Sequence, residues 1–305
     1  MPKRLLWAVQ LVAAAVVVVM VGRSVAHNWD RFRSAQLTLA LRPGWLALSV
    51  ALLAIVSALQ IESWRRILAG WAQSLPYAAA ARIWFLANLG RYVPGKVWSV
   101  AGMVVMAQRE GVQVWAATAS TVAVQALGLG TAAALVAATA PNAASPVRLG
   151  AGVAAATLTV LALAWKGALP RLARLVGASE EWRALPANAV LTGSVLTLAS
   201  WIAYGASFWA LARGLGLPGL PFGVASGVFA LGYVLGLLAL FAPGGIGVRE
   251  AIYISLLTPY VGSGGAIALS VASRLELSIT EAAAGLAALG LGNRMRREPV
   301  DPARP

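Results

Sequence analysis

Cysteine is absent from the 305-residue chain, which excludes disulfides, thiolate catalysis, iron–sulfur clusters and cysteine zinc sites. Histidine occurs once, at His27, and a lone imidazole cannot build a three-ligand zinc site. Charge is scarce as well: 11% of residues are charged, against about 25% in an ordinary soluble domain. Acidic residues number 10 against 24 basic ones, for a net charge of +14. The basic residues stand in small clusters between apolar segments, with no basic helix interleaved with aromatics. Membrane topology and anionic lipid headgroups therefore account for the charge, and nucleic acid does not. No nucleotide, nucleophile or metal motif is present, so neither a cofactor nor catalysis is expected.

What fills the chain is apolar residues, 60% of the total, with a mean hydropathy of +0.77. Residues 5–22, 44–61, 112–147, 184–212, 214–248 and 251–273 contain no Asp, Glu, Lys or Arg. Each is long enough for a transmembrane helix of roughly 18 to 25 residues. The first of them reads as a retained span and not a cleaved leader, because Arg23, His27 and Asn28 follow it without an A-x-A-like site. The pattern predicts an all-α polytopic membrane protein with about six full spans, near 5–26, 44–62, 112–139, 148–165, 188–212 and 266–292. Residues 1–293 form a single transmembrane domain, and 294–305 a cytoplasmic tail.

Two further apolar regions are interrupted. Residues 78–90 and 97–107 flank Arg91-Tyr92-Val93-Pro94-Gly95-Lys96, and residues 222–242 and 248–261 flank Pro243-Gly244-Gly245-Ile246-Gly247. Each region is one kinked span or a hairpin, and the distribution of basic residues discriminates. With both as hairpins and the N-terminus in the cytoplasm, 14 of the 24 basic residues fall inside and 6 outside, leaving Arg91, Lys96, Arg249 and Arg274 at membrane depth. With both as kinked spans the split is 11 to 9. The excess of cytoplasmic positive charge thus favours hairpins and places both termini in the cytoplasm of a cell-membrane protein. Residues 23–43 dissent, since they carry four Arg against one Asp on the outer side. The hairpin scheme also divides the chain into two halves of the same order and opposite sense, residues 1–142 and 147–293. Such inverted repeats with broken helices are a common plan of secondary transporters.

The two breaks carry the candidate chemistry. Pro94 removes a backbone donor and disfavours helix at Val93, and bare backbone at membrane depth requires protein or a watery cavity to satisfy it. With Arg91 and Lys96 beside it, the opening is suited to a phosphate; alternatively, both cations snorkel to water at a helix boundary. Tyr92 fits either arrangement. Pro243, Gly244, Gly245 and Gly247 permit positive φ and close backbone approach, or simply make a tight turn, and they match neither dinucleotide nor Walker glycine loops. Arg249 at a helix N-terminus opposes the helix dipole and calls for a compensating anion, a ligand or Glu250. Arg274, Glu276 and Glu281 lie in the last apolar stretch, where charges are paired, hydrated or functional. They read as a proton-coupling set or as structural ion pairs.

RYVPGK at 91–96, Arg109-Glu110-Gly111, and APGGIGVREA at 242–251 together resemble the lysylphosphatidylglycerol synthase transmembrane, flippase-like family, over most of the chain. The resemblance implies that Arg91, Pro94, Gly95, Lys96, Pro243, Gly244, Gly245, Gly247, Arg249 and Glu250 form the family's signature sites. It also implies a membrane part that moves lipid between leaflets. Fused members carry a cytosolic aminoacyl-transfer domain; here about a dozen residues follow the last span, so the synthase activity is not expected. The sequence-based expectation is a protein that handles or translocates an anionic or aminoacylated phospholipid or lipid-linked headgroup. Two alternatives stay open: a membrane-embedded lipid or glycosyl transferase with Glu250, Glu276 or Glu281 as base, and a non-transporting subunit of a membrane complex.

Overall fold

The computed structural model describes residues 40–92, 97–139, 146–175, 182–239, 245 and 247–295. The expected span at 5–26, the turn residues Pro94, Gly95, Lys96, Pro243 and Gly244, and the tail from 296 lie outside them. Among the described residues every regular element is helical. Helix α1 (Pro43–Ala69) is followed by α2 (Tyr77–Asn88), a 3-10 turn (Leu89–Tyr92), α3 (Val97–Arg109), α4 (Val114–Thr139), α5 (Pro146–Ala164), α6 (Ala168–Leu175), α7 (Ala187–Gly214), α8 (Phe222–Leu238) and α9 (Val248–Met295).

Four of these helices are long and apolar enough to cross a membrane: α1, α4, α7 and the run Val248–Ala288 within α9. A fifth span arises if α5 is joined to α6 across an 84° bend. At 1.5 Å per residue, the 27-residue α1 is about 40 Å long, which exceeds the roughly 30 Å hydrocarbon core. Leu158, Leu161, Leu191 and Val195 are among many exposed large aliphatics. On a soluble protein such a surface would be an interaction site; on these helices it meets lipid tails. The chain is a multi-pass membrane protein.

α1 and α7 form an antiparallel seam. Ser49 donates to the Ser207 carbonyl at 2.8 Å, and Ser63 reaches both the Thr197 hydroxyl, at 3.1 Å, and the Gly193 carbonyl. Gly70 abuts Ala189 at one end, and the Arg42 amide donates to the Gly214 carbonyl at the other. Small and hydroxyl residues draw two backbones together where lipid removes the hydrophobic drive for helix association.

The two interrupted regions are hairpins. In the first, the Arg82 guanidinium pairs with Glu110 at the base, Ala87 faces Gly102, and Gly90 lies against the backbone of Trp98 and Ser99 at the tip. In the second, Phe229 and Gly232 face Tyr253, while Gly236 faces Arg249 and Gly245. Contacts that advance on one arm as they recede on the other require antiparallel arms. α2 and α3 are 12 and 13 residues long, about 18 and 20 Å, too short to cross the hydrocarbon alone. The first hairpin opens beside the C-terminal end of α1, where Arg65 stacks over Tyr77 at 5.5 Å. The second opens just after the C-terminal end of α7. Since α1 and α7 are antiparallel, the hairpins enter from opposite faces.

Several local features occur twice. Pro76 precedes the first hairpin and Pro221 the second, each in extended backbone that a helix cannot continue through. Ala72 (φ 56°) and Gly216 (φ 78°) turn the chain ahead of each hairpin. Gly111 (φ 87°) and Gly262 (φ 70°) follow each hairpin's second arm. Gly262, at ψ 165°, divides α9 into an arm at 248–261 and a span at 263–295. That conformation is essentially restricted to glycine.

Candidate functional site

Two apolar clusters occupy opposite ends of the bundle. One gathers Ile61 to Leu75 with α2, α3, the first half of α4 and Leu185 to Val190. The other gathers Leu53 and Val56 with Ala132, α7 from Trp201 onward, α8 and α9. Between them lies a cavity of about 150 Å³. Its walls come from the inner turns of two spans, Thr121 and Gln125 on α4 and Thr197 and Trp201 on α7, and from Gln60 and Ser63 in the second half of α1. The cavity therefore sits near the bilayer midplane.

Both hairpins reach it. Trp84 and Asn88 of α2 and Ser99 of α3 flank the first break; Tyr233 and Gly236 of α8, with Gly245 and Arg249, surround the second. Described residues flanking both breaks thus line one cavity. Arg91 and Tyr92 belong to the 3-10 turn, but their side chains, like Pro94, Gly95 and Lys96, lie outside the described atoms, as do Pro243 and Gly244.

Arg249 is the cation that lines the cavity among the described residues. Its guanidinium carbon stands 5.0 Å from the ring centroid of Tyr233, 5.6 Å from that of Phe229 and 5.9 Å from that of Tyr253. It also donates to the Tyr253 hydroxyl at 3.2 Å. Aromatic quadrupoles partly replace water around a cation held this way, each contributing about 0.5–2 kcal/mol. A guanidinium carries five N–H donors, and among the described residues only Tyr253 takes one.

Glu250 makes no direct ion pair with Arg249. One of its oxygens accepts from the Gly247 amide at 2.7 Å, and the other faces Arg274 at 3.8 Å. The first bond is the reciprocal half of a capping box, a carboxylate at the third helical position satisfying an orphan N–H. Gly247, at φ 86° and exposed, supplies the turn. Arg274 accordingly faces Glu250 across the Gly262 break, and this ties the second hairpin to the final span. Glu276 reaches Ser49 on α1. None of Glu250, Glu276 and Glu281 lines the cavity. Glu110, beside Arg109 in sequence, pairs with Arg82, while Glu62 holds Arg65 and Arg66.

Sequence reasoning overlooked Gln60, Gln125, Trp84, Trp201 and Tyr233. A signal existed for the cage: Phe229 and Tyr233 are four apart, as are Arg249 and Tyr253, so each pair shares one helix face. The amides carried a weaker signal, being polar side chains within apolar runs.

No curated protein matches the chain. The family model described as the lysylphosphatidylglycerol synthase transmembrane region matches residues 6–285. That span takes in both hairpins and every wall of the midplane cavity, and the chain belongs to the lysylphosphatidylglycerol synthase transmembrane family.

Proposed function

We propose that this protein admits the anionic headgroup of a membrane lipid to the midplane cavity and carries it between the leaflets. The observation that supports this is the convergence of two hairpins, entering from opposite faces, on one cavity lined by Arg249 and by several amide and hydroxyl side chains. A lipid whose headgroup enters such a cavity keeps its tails in hydrocarbon, so only the headgroup requires protein shelter. Arg249, with guanidinium donors unspent on described residues, supplies charge-assisted hydrogen bonds to a phosphate.

The doubled Pro76/Pro221, Ala72/Gly216 and Gly111/Gly262 positions support a reading of the chain as two inverted repeats. The crossed packing does so too: α4 packs on α8, and the final span packs on α2. In that arrangement alternating access is a rocking of one repeat against the other around the cavity. Arg65, Arg66, Arg82, Arg109 and Arg183 gather at the end where the first hairpin opens, with Arg183 stacked over Trp115. This supports the cytoplasm of a cell-membrane protein as that side. The test is a leaflet-resolved assay in reconstituted vesicles with fluorescent anionic and aminoacylated phospholipids. The expected result is movement of an anionic lipid above the rate of protein-free vesicles; no acceleration for any lipid overturns the reading.

A further inference from the structure

Resting on that reading, we infer that the headgroup recognised is a polyhydroxyl group, a sugar or cyclic polyol, carried on a single anionic phosphate, and not an ammonium-bearing aminoacyl group. The lining chemistry carries this. Gln60 and Gln125 each present an amide with both donor and acceptor faces, and Ser99 adds a hydroxyl, while Ser63 and Thr197 donate theirs to the Gly193 carbonyl. A hydroxyl both donates and accepts, so a wall of amides and hydroxyls satisfies several of them whatever their orientation. The Gln60 and Gln125 amides have no hydrogen-bond partner among the described residues, which leaves their full capacity to a ligand. Trp84 and Trp201 add flat apolar surface against which the C–H face of a sugar ring packs.

An ammonium group finds the opposite environment. No carboxylate lines the cavity among the described residues. The aromatic faces of Tyr233, Phe229 and Tyr253 already hold Arg249. A second positive charge would be desolvated beside the first, an uncompensated cost. A cavity of about 150 Å³ has room for one small ring.

The experiment compares acyl-labelled phosphatidylinositol, phosphatidate and lysylphosphatidylglycerol in vesicles holding the full chain, with outer-leaflet label bleached by dithionite. Phosphatidylinositol is expected to move about tenfold faster than phosphatidate, the value of one or two neutral hydrogen bonds, and lysylphosphatidylglycerol no faster than in protein-free vesicles. Gln60→Leu and Gln125→Leu are each expected to reduce the inositol-over-phosphatidate ratio severalfold. Gln125→Glu is expected to admit the lysyl lipid, and because it gains an activity it does not depend on damage to the fold. Slowing by millimolar inositol 1-phosphate would assign recognition to the headgroup alone, and its failure to compete would assign it to the lipid-borne form; the proposal predicts one or the other for a protein that prefers inositol. Equal rates for phosphatidylinositol and phosphatidate, or faster movement of the lysyl lipid, would overturn the polyol assignment while leaving lipid translocation standing. If none of the three lipids moves, translocation itself falls and the assignment with it.

Discussion

Gly232→Ala is the most direct probe of the aromatic cage. A methyl at this position would stand 3.0 Å from Cδ1 and 3.1 Å from Cζ of Tyr253, and closer still to Cε1, where carbon contacts are relaxed at about 3.5–4.0 Å. Tyr253 is 2% exposed, stacked on Phe229 and tilted against Phe208, so its ring cannot swing away freely. Overpacking of this kind costs about 1–3 kcal/mol. Displacing the ring also lengthens the 3.2 Å bond from Arg249 to the Tyr253 hydroxyl, and a hydrogen bond to a charged group contributes about 1.5–3 kcal/mol. These terms overlap, and a combined loss of about 2–4 kcal/mol is expected. Gly223→Ala on the same helix is the control: a methyl there meets nothing within 4 Å, and alanine in a helix gains up to about 1 kcal/mol over glycine. Thermal unfolding in detergent, followed by size-exclusion fluorescence, should show Gly232→Ala melting well below wild type and Gly223→Ala at or above it. Anionic lipid movement should fall with the first variant and persist with the second. Indistinguishable melting curves would refute the packing on which the cage depends.

Arg249→Lys keeps the charge but loses the planar stack and the fork of donors; anionic lipid movement should drop about 10- to 100-fold in the vesicle assay, and Arg249→Met should abolish it. Gly262→Ala places a side chain at φ 70°, ψ 165°, a strain of about 1–3 kcal/mol, measurable as a lowered melting temperature with no change in lipid preference. Arg274→Met strands the buried Glu250 carboxylate and should cost about 3–5 kcal/mol, whereas Arg274→Met combined with Glu250→Gln should recover part of it, a double-mutant cycle read by the same unfolding assay. Arg82→Ala, at a partly exposed pair with Glu110, should cost at most about 1 kcal/mol, and less at high salt.

The described spans and both hairpins were legible because lipid imposes simple rules: apolar runs of sufficient length become helices, and proline with glycine at membrane depth interrupts them. The break near residue 262 also appeared, as the gap between an arm ending at 261 and a span beginning at 266. Charge pairing was not legible. Arg274 and Glu281 share a helix face by spacing, yet Arg274 turns to Glu250 across a chain reversal, and only tertiary placement brings those two groups together. For Arg249 the sequence suggested an anion, while the structure surrounds it with rings contributed by two helices. Gln60 and Gln125 escaped notice because an amide in an apolar run carries no charge to flag it, and its importance emerges only when three helices meet.

The depth of Arg249 has an electrical consequence. A unit charge crossing the whole bilayer exchanges about 2.3 kcal/mol per 100 mV, so a monoanion travelling from one aqueous face to the midplane feels roughly half, about 1.2 kcal/mol. Resting polarisation of 100 mV would alter cavity occupancy from that face about sevenfold, with the opposite sign for anions arriving from the other. On the proposed lipid-carrying role, voltage would bias which leaflet supplies the site.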